Sequence, residues 1–332
     1  MLSSTLFITI LIVVIAVIFD VINGFHDSAN AIACAVSTRS LSLKQAVVIS
    51  AALNFAGAFL SVKVAETVGN GIVHPNDVTQ KVIIAALIGA IIWNLITWYF
   101  GIPSSSSHAL IGGLIGSAIM YKGTFLIVNW SSLFWKVILW LILSPIIGFI
   151  VGFIFMNIIK LFLTNTRPST VTKIFSKAEI FSTMFLALNH GENDAQKTMG
   201  VITMTLMSAG FIKEFSVPIW VKITCALAMA LGTALGGKRI IKTMGSKMAK
   251  IVPVSGFAAE MGSSAVIFTA TMFKAPVSTT HIITTCIMGV GSSKRFSAVR
   301  WSVVKDIVLT WIITIPGCAA ISAVVIYILN LI

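Results

Sequence analysis

Residues 6–30 read LFITILIVVIAVIFDVINGFHDSAN, an apolar run followed by a stretch rich in polar groups. The run from Leu6 to Phe19 carries no charge, and a helix crosses the roughly 30 Å hydrocarbon core of a bilayer with about 20 apolar residues. Asp27 then places a carboxylate in the same predicted helix, where it costs at least a few kcal/mol unless it faces a cavity or a partner. The stretch predicts a transmembrane helix that carries a functional acid.

The rest of the chain has the same apolar character. It is 57% hydrophobic and only 10% charged, with a mean hydropathy of +1.01, far from the composition of ordinary soluble domains. The predicted fold is an all-α integral membrane protein with about ten spans, of which two proline- and serine-rich segments, 104–121 and 276–292, are read as re-entrant hairpins. The remaining predicted spans are 5–34, 45–66, 82–100, 132–160, 178–200, 217–236, 251–273 and 302–330.

Basic residues gather in alternate loops between these spans. In a soluble protein a net charge of +13 would suggest binding to nucleic acid. Here the basic residues concentrate in loops on one side of the predicted spans, as the positive-inside rule describes, so no nucleic-acid partner is expected. The rich side is predicted to be cytoplasmic, which places both termini outside a multi-pass protein of the plasma membrane. That side holds 15 of the 23 basic residues: Arg39, Lys44, Lys160, Arg167, Lys173, Lys177, Lys238, Arg239, Lys242, Lys247, Lys250, Lys294, Arg295, Arg300 and Lys305.

Two motifs occur twice, in the same order. GFHDSAN at 24–30 matches GENDAQK at 191–197, and PSSSSH at 103–108 matches PVSTTH at 276–281. Repeated elements of this kind are typical of transporters built from inverted repeats. We therefore divide the chain into a first half at 1–165, a cytoplasmic linker at 166–177 and a second half at 178–332. Five crossings in each half give the halves opposite orientations.

The duplicated motifs resemble those of the inorganic phosphate transporter (PiT) family, which carries a glycine and an Asn-Asp or His-Asp pair early in each half and a Pro-x-Ser-Ser/Thr-x-His motif later. The resemblance covers the whole chain, and within the family the sequence looks most like the bacterial low-affinity phosphate permeases. It implies a secondary transporter with inverted repeats and symport of phosphate with protons or sodium. His26 and Lys197 depart from the commoner pattern and leave the coupling ion open.

The intramembrane acids are the candidate cation site. Polar and glycine neighbours of Asp27 and Asp194 predict loosened, broken helices whose carbonyl oxygens bind cations, although each aspartate could instead pair locally. Sodium at either aspartate is an alternative to protons, and His26 favours protons because an imidazole titrates near neutral pH. The candidate coupling residues are His26, Asp27, Asn30, Glu192, Asn193, Asp194 and Glu260; the secondary candidates are Asn23, His108, Asn189 and His281.

The two serine- and threonine-rich motifs are the candidate anion site. Proline suits the first turn of a helix, and hydroxyls beside the free amides of a helix N-terminus bind anions. The alternative is that these hydroxyls only cap helices or bond to carbonyls one turn back. Lys197 could neutralise the substrate or pair with Asp194. The candidate substrate-binding residues are Ser104, Ser105, Ser106, Ser107, Ser278, Thr279, Thr280 and Lys197.

The leading functional hypothesis is a cation-coupled symporter that imports inorganic phosphate by alternating access. A sulfate permease is the second, because a hydroxyl cradle accepts either tetrahedral anion. A membrane-embedded enzyme, in which His108 or His281 activates a serine, is the third, and a channel the fourth. No cofactor is expected, since Cys34, Cys225, Cys286 and Cys318 lie singly without CxxC spacing. A homodimer is left open.

Overall fold

The structure, a computed structural model, describes residues 2–73, 78–235 and 237–331. Over these ranges the chain is helical apart from turns, short connections and two isolated backbone bridges. The α-helices are α1 Leu2–Ser37, α2 Leu43–Gly57, α3 Lys63–Asn70, α4 Gln80–Phe100, α5 Ser106–Lys122, α6 Trp130–Leu133, α7 Leu139–Leu163, α8 Pro168–Ser208, α9 Ile219–Leu235, α10 Lys238–Lys242, α11 Pro253–Met272, α12 Thr279–Ser292 and α13 Trp301–Leu331.

Among the described residues, four continuous helical segments are long and apolar enough to cross a bilayer: Ser4–Ser37, Gln80–Phe100, Trp130–Leu163 and Trp301–Leu331. The third combines α6 and α7 through a π-helical turn at Phe134–Ile138. Many large apolar side chains on these segments are exposed, as a lipid-facing surface requires. The chain is an all-helical membrane protein.

Two predicted boundaries differ from the observed helices. The predicted span 45–66 is interrupted by a turn, because α2 ends at Gly57 and α3 begins at Lys63. The predicted linker 166–177 is helical from Pro168, which occupies the first turn of α8. Proline is favoured there because its missing N–H has no helical partner at that position. The division of the chain at this segment stays a prediction.

The expected breaks in α1 and α8 are wrong. Both helices run without interruption through Asp27 and Asp194. The glycines that suggested a break instead permit close helix packing: a Cβ atom on Gly24 would lie 2.6 Å from Met229 O of α9, and one on Gly191 would collide with the Asn54 backbone of α2. Small residues at such crossings let two backbones approach, which stabilises contact between membrane helices.

Helices α4 and α5 form one hairpin, hairpin 1, and helices α11 and α12 form another, hairpin 2. Gly101 ends α4 in the left-handed conformation at φ 66°, which glycine adopts without steric cost. Each hairpin tip is tied to a distant segment through a backbone carbonyl: Thr243 Oγ1 donates to Gly101 O at 2.9 Å, and Thr67 Oγ1 donates to Lys274 O at 2.7 Å. The returning helices pack across the halves, α5 against α13 and α12 against α7.

The same backbone and side-chain details flank the two hairpins. Val73 forms an antiparallel bridge with Val128, and Ala249 forms one with Val299. A tryptophan then begins the next helix in each half and closes the preceding turn with its indole N–H. Trp130 Nε1 donates to Phe125 O at 2.8 Å, and Trp301 Nε1 donates to Phe296 O at 2.9 Å.

Candidate functional site

The hairpin tips place serines at helix N-termini. Ser105 is the N-cap of α5, where its hydroxyl accepts the N–H of His108 at 3.3 Å. Ser278 is the N-cap of α12 and accepts the N–H of His281 at 3.2 Å. A capping hydroxyl uses a lone pair for this bond and keeps its own proton available to donate to a ligand. Capping and anion binding are therefore compatible roles.

The two tips contact each other in the interior. Ser107 Oγ of hairpin 1 donates to Val277 O of hairpin 2 at 3.0 Å. The rings of His108 and His281 lie 4.6 Å apart, edge to face, and His281 stacks on Trp311 at 3.7 Å. Both histidines are buried and have ring nitrogens without a hydrogen bond to any described residue. The structure thus brings together the two serine-rich motifs from opposite halves.

Asp27 lies where α1 meets both hairpins. Its Oδ1 is 2.8 Å from His26 Nδ1 and accepts a hydrogen bond from Thr280 Oγ1 at 3.0 Å. The amide of Asn30 donates to the same threonine at 2.8 Å. On the other side of the imidazole, His26 Nε2 lies 3.2 Å from Thr97 Oγ1. The candidate cation residues of α1 therefore contact the tip of hairpin 2 directly.

The tip of hairpin 1 contacts the imidazole of His26 through the hydroxyls of Ser104 and Thr97. Ser104 Oγ lies 2.7 Å from Thr97 Oγ1 and 3.4 Å from His26 Nε2. Ser106 Oγ accepts the amide of Asn94 at 3.2 Å. Thr97 was not singled out from the sequence, because one threonine in an apolar span carries no signal of its own.

Asp194 has a different set of partners. Its Oδ1 lies 2.5 Å from Lys197 Nζ, and its Oδ2 accepts from Thr279 Oγ1 at 3.4 Å and lies 3.4 Å from His190 Nε2. All four side chains are buried. Lys197 thus pairs with Asp194, one of the two roles left open by the sequence. Asn193, beside it on α8, donates to Thr271 Oγ1 at 2.9 Å.

A buried polar network links α1, α2, α8 and α9 next to the aspartates. The amide of Asn54 donates to Ser28 Oγ at 3.0 Å and to Thr233 Oγ1 at 2.9 Å, while its oxygen lies 3.2 Å from His190 Nδ1. His190 was not predicted as a site residue, although it lies one helical turn before Asp194. That spacing puts both side chains on the same face of α8.

Glu260 lies away from the two aspartates. Its carboxylate accepts from Ser182 Oγ at 2.5 Å and from Thr183 Oγ1 at 3.0 Å, about four turns after the start of α8. Because an α-helix rises about 1.5 Å per residue, Thr183 is about 16 Å along the axis from Asp194. One turn before Ser182, Glu179 accepts from Thr38 at 2.6 Å and from Ser40 at 2.5 Å. Glu179 is fully buried, at 0% exposure, and was not predicted as a site residue, because no local sequence pattern indicates its burial.

Three other candidates have side-chain polar atoms without a hydrogen-bond partner among the described residues. Asn23 is buried with both amide atoms unpaired among the described residues, and Asn189 has an unpaired amide nitrogen. The Glu192 carboxylate forms no hydrogen bond or ion pair within the described ranges, while its backbone oxygen accepts from Gln196 at 2.7 Å. The same ranges contain no cluster of three or more His, Cys, Asp or Glu that could hold a metal ion.

The arrangement combines hydrogen-bond donors for an anion with acids for a cation. The N-termini of α5 and α12 supply backbone amides and the positive ends of helix dipoles, which favour a negative ligand. Lys197 adds a basic side chain that pairs with Asp194, and the imidazole of His26 lies 2.8 Å from Asp27. Such a site can bind an oxyanion and a cation within one buried polar region.

Comparison with known proteins gives a consistent set of similarities. The model of the Phosphate transporter family matches residues 23–322. A protein of Bacillus subtilis (strain 168) named probable low-affinity inorganic phosphate transporter is 48% identical over 98% of this chain and 98% of its own length. A protein of the same name from Rhizobium meliloti (strain 1021) is 48% identical over 94% of this chain and 93% of its own length.

A solved structure has the same fold. It is named "The sodium-dependent phosphate transporter" and superposes with a TM-score of 0.90 at 24% sequence identity. The match covers 98% of this chain and 99% of the solved one. At this identity the likeness concerns the fold alone.

Proposed function

The chain belongs to the phosphate transporter family, and we propose that it imports inorganic phosphate together with protons. It is a transporter and not an enzyme, so the hypothesis of a histidine-activated serine nucleophile is set aside. The relatives named above are called inorganic phosphate transporters, which favours phosphate over sulfate for this chain. Its membrane is proposed to be the plasma membrane.

The observation that carries the proposal is the contact between Thr280 of hairpin 2 and Asp27 of α1, at 3.0 Å. It joins a residue of the proposed anion site to a residue of the proposed cation site. Thr279 makes a longer, parallel contact with Asp194, at 3.4 Å. Both aspartates accept a hydrogen bond from the tip of hairpin 2. The affinity of that tip for an anion would therefore depend on the charge of each aspartate.

The substrate choice follows from hydrogen bonding. Phosphate at neutral pH carries a proton that can be donated, whereas sulfate carries none, and the oxygens of Asp27 and Asp194 are acceptors beside the tip hydroxyls. A site built with acceptors rejects an analogue that cannot donate to them, because the buried acceptor is left unpaired. The hydroxyls of Ser105, Ser106 and Ser278 accept their bonds from protein N–H groups and would supply the donors.

Coupling to a cation is required by the membrane potential. Import of one negative charge against about −100 mV costs roughly 2.3 kcal/mol. We assign the proton to the pair of His26 and Asp27, since Lys197 already neutralises Asp194 with a fixed charge. Sodium at Asp27 is the alternative, and the name of the 24%-identical solved protein describes that protein as sodium-dependent.

The matched details of the two halves support an inverted repeat. In each half an antiparallel bridge, Val73 with Val128 or Ala249 with Val299, joins the segment before the hairpin to the segment after it, and the indole bond of Trp130 or Trp301 follows. On this proposal the chain makes about ten passages, hairpins 1 and 2 enter from opposite sides, and both termini are extracytoplasmic. Alternating access then moves one set of helices against the other around a site between the hairpin tips.

A competition assay tests the substrate. The protein is produced in cells that lack their own phosphate uptake, and entry of radiolabelled phosphate is measured with excess unlabelled phosphate or sulfate. Phosphate is expected to suppress the signal and sulfate to leave it unchanged, with cells producing Asp27→Asn as the background. Equal suppression by sulfate would favour the sulfate permease.

A further inference from the structure

A cavity of about 390 Å³ lies at the end of hairpin 2 remote from its tip. It is bounded by the first turns of α11, the last turn of α12, the segment before α11 and Ala298. From Ser278 to Gly291 the chain climbs about 20 Å along α12, so the cavity is distinct from the region between the hairpin tips. None of the residues assigned to phosphate or cation binding lines it.

Three basic side chains converge on this cavity without an acidic partner. Lys250, Lys294 and Arg295 line it, and its lining contains no aspartate or glutamate. None of the three forms a salt bridge with any carboxylate in the described part of the chain. Burial, and the charge of nearby Lys250, lower the pKa of Lys294 below that of an ordinary lysine. Like charges brought together in this way are stabilised by a bound anion.

The nearest acid does not neutralise the cluster. Glu260 follows Ala259, which lines the cavity, but its carboxylate accepts hydrogen bonds from Ser182 and Thr183 of α8. The walls between the charges are mostly apolar, including Ile251, Val252 and Ile287. The three basic side chains are exposed to solvent, and the apolar walls beside them lower the local dielectric constant and strengthen their attraction to an anion.

The charge is specific to the second half. The turn closed by the indole bond from Trp301 to Phe296 corresponds to the one closed by Trp130 and Phe125. On this alignment Lys294 and Arg295 occupy the positions of Gly123 and Thr124. The first half therefore has no basic pair at its matching turn. The positive-inside rule already places basic residues on this side of the membrane, so the observation that points to a ligand is that three of them line one cavity.

We propose that this cavity binds a phosphate-bearing anion, separately from the transported substrate. Arg295 can hold two phosphate oxygens with its planar guanidinium, and the two lysines supply further charge. The phosphate group can belong to a soluble anion or to the headgroup of an anionic lipid whose chains lie along the apolar walls. Since the cavity lies between the arms of hairpin 2, its occupant would bias the position of the hairpin.

The test uses an Ala298→Cys variant of the full-length protein, because the four native cysteines are buried. The rate of maleimide labelling is measured in neutral detergent with and without pyrophosphate, and in vesicles of phosphatidylcholine with and without phosphatidylglycerol. At a ligand concentration of four times Kd, mass action predicts that labelling slows about fivefold. Slowing by pyrophosphate identifies a soluble occupant, and slowing only by phosphatidylglycerol identifies a lipid.

Two sets of charge changes decide whether the cavity is responsible. Replacing Lys250, Lys294 and Arg295 together by Gln should abolish the protection, and Lys294→Gln alone should weaken it if the triple variant folds poorly. The matched control replaces the exposed Lys44, Arg167 and Lys173 by Gln and should keep the protection. The proposal is overturned if neither ligand slows labelling. It is also overturned if protection survives in the cavity variants, because binding at the transport site would then explain it.

Discussion

The Nζ atom of Lys197 lies 2.5 Å from Oδ1 of Asp194, and both side chains are buried. Three residues after Asp27, the corresponding position holds Asn30, whose amide donates to Thr280. One aspartate is therefore paired with a fixed cation, and the other with the imidazole of His26. The proposed mechanism uses this asymmetry, since only Asp27 needs a mobile cation.

Removal of the lysine charge should destabilise the protein. Lys197→Met leaves the buried carboxylate of Asp194 without its partner, which costs about 3–5 kcal/mol in comparable buried pairs. The double variant Asp194→Asn with Lys197→Met should recover most of that loss but not transport. Thermal unfolding of the purified proteins measures the effect, with the exposed Lys173→Met as control. A single variant as stable as the parent would show that the pair does not matter for folding.

Each aspartate should be needed for transport. Asp27→Asn and Asp194→Asn keep the side-chain shape but remove the charge, so we expect phosphate uptake to fall to near background while the protein remains in the membrane. Asp306→Asn, at an exposed position of α13, serves as the control and should transport normally. Uptake at the parental rate in both site variants would refute the proposed coupling site.

The hydroxyls at the tips should contribute to phosphate affinity. Loss of a hydrogen bond to a charged ligand costs about 1.5–3 kcal/mol, so alanine at Ser105, Ser106, Ser278 or Thr279 should weaken apparent affinity roughly 10- to 150-fold. Ser117→Ala is the buried control, since its hydroxyl bonds to Gly113 O within α5. Lower yield with unchanged affinity in the surviving protein would indicate that these residues only cap helices.

Ser107 provides a contrast within the same motif. Its hydroxyl donates to Val277 O, so Ser107→Ala should loosen the contact between the hairpins. We expect a lower unfolding temperature and a smaller change in phosphate affinity than at Ser106. The two variants are compared by thermal unfolding and by uptake at graded phosphate concentrations. A larger affinity loss at Ser107 would mean that its hydroxyl binds the anion.

The orientation can be tested by cysteine labelling of intact cells. The predicted external loop around Asn76 lies outside the described residues, so the exposed Ser216, between α8 and α9, is the better position. Ser216→Cys should react with an impermeant maleimide, and Thr170→Cys, at the start of α8, only after permeabilisation. The buried native cysteines keep the background low. The opposite pattern would reverse the charge-based topology.

The sequence predicted the elements that repeat and missed those that depend on distant contacts. Apolar runs located the helices, and the duplicated motifs located the residues now found at the hairpin tips and on α1 and α8. The glycines beside Asp27 and Asp194 suggested breaks, because helix propensity cannot show that another backbone packs there. The partnership of Glu179 with Thr38 and Ser40 joins residues far apart in the chain, which no local pattern indicates.

Phosphate uptake into proteoliposomes, with proton and sodium gradients imposed separately, tests the central claim most directly. Because the imidazole of His26 lies 2.8 Å from Asp27, we expect uptake in sodium-free buffer to follow a pH gradient that is acidic outside. His26→Asn should weaken that dependence while phosphate still binds. Uptake that requires sodium and ignores the pH gradient would contradict proton coupling.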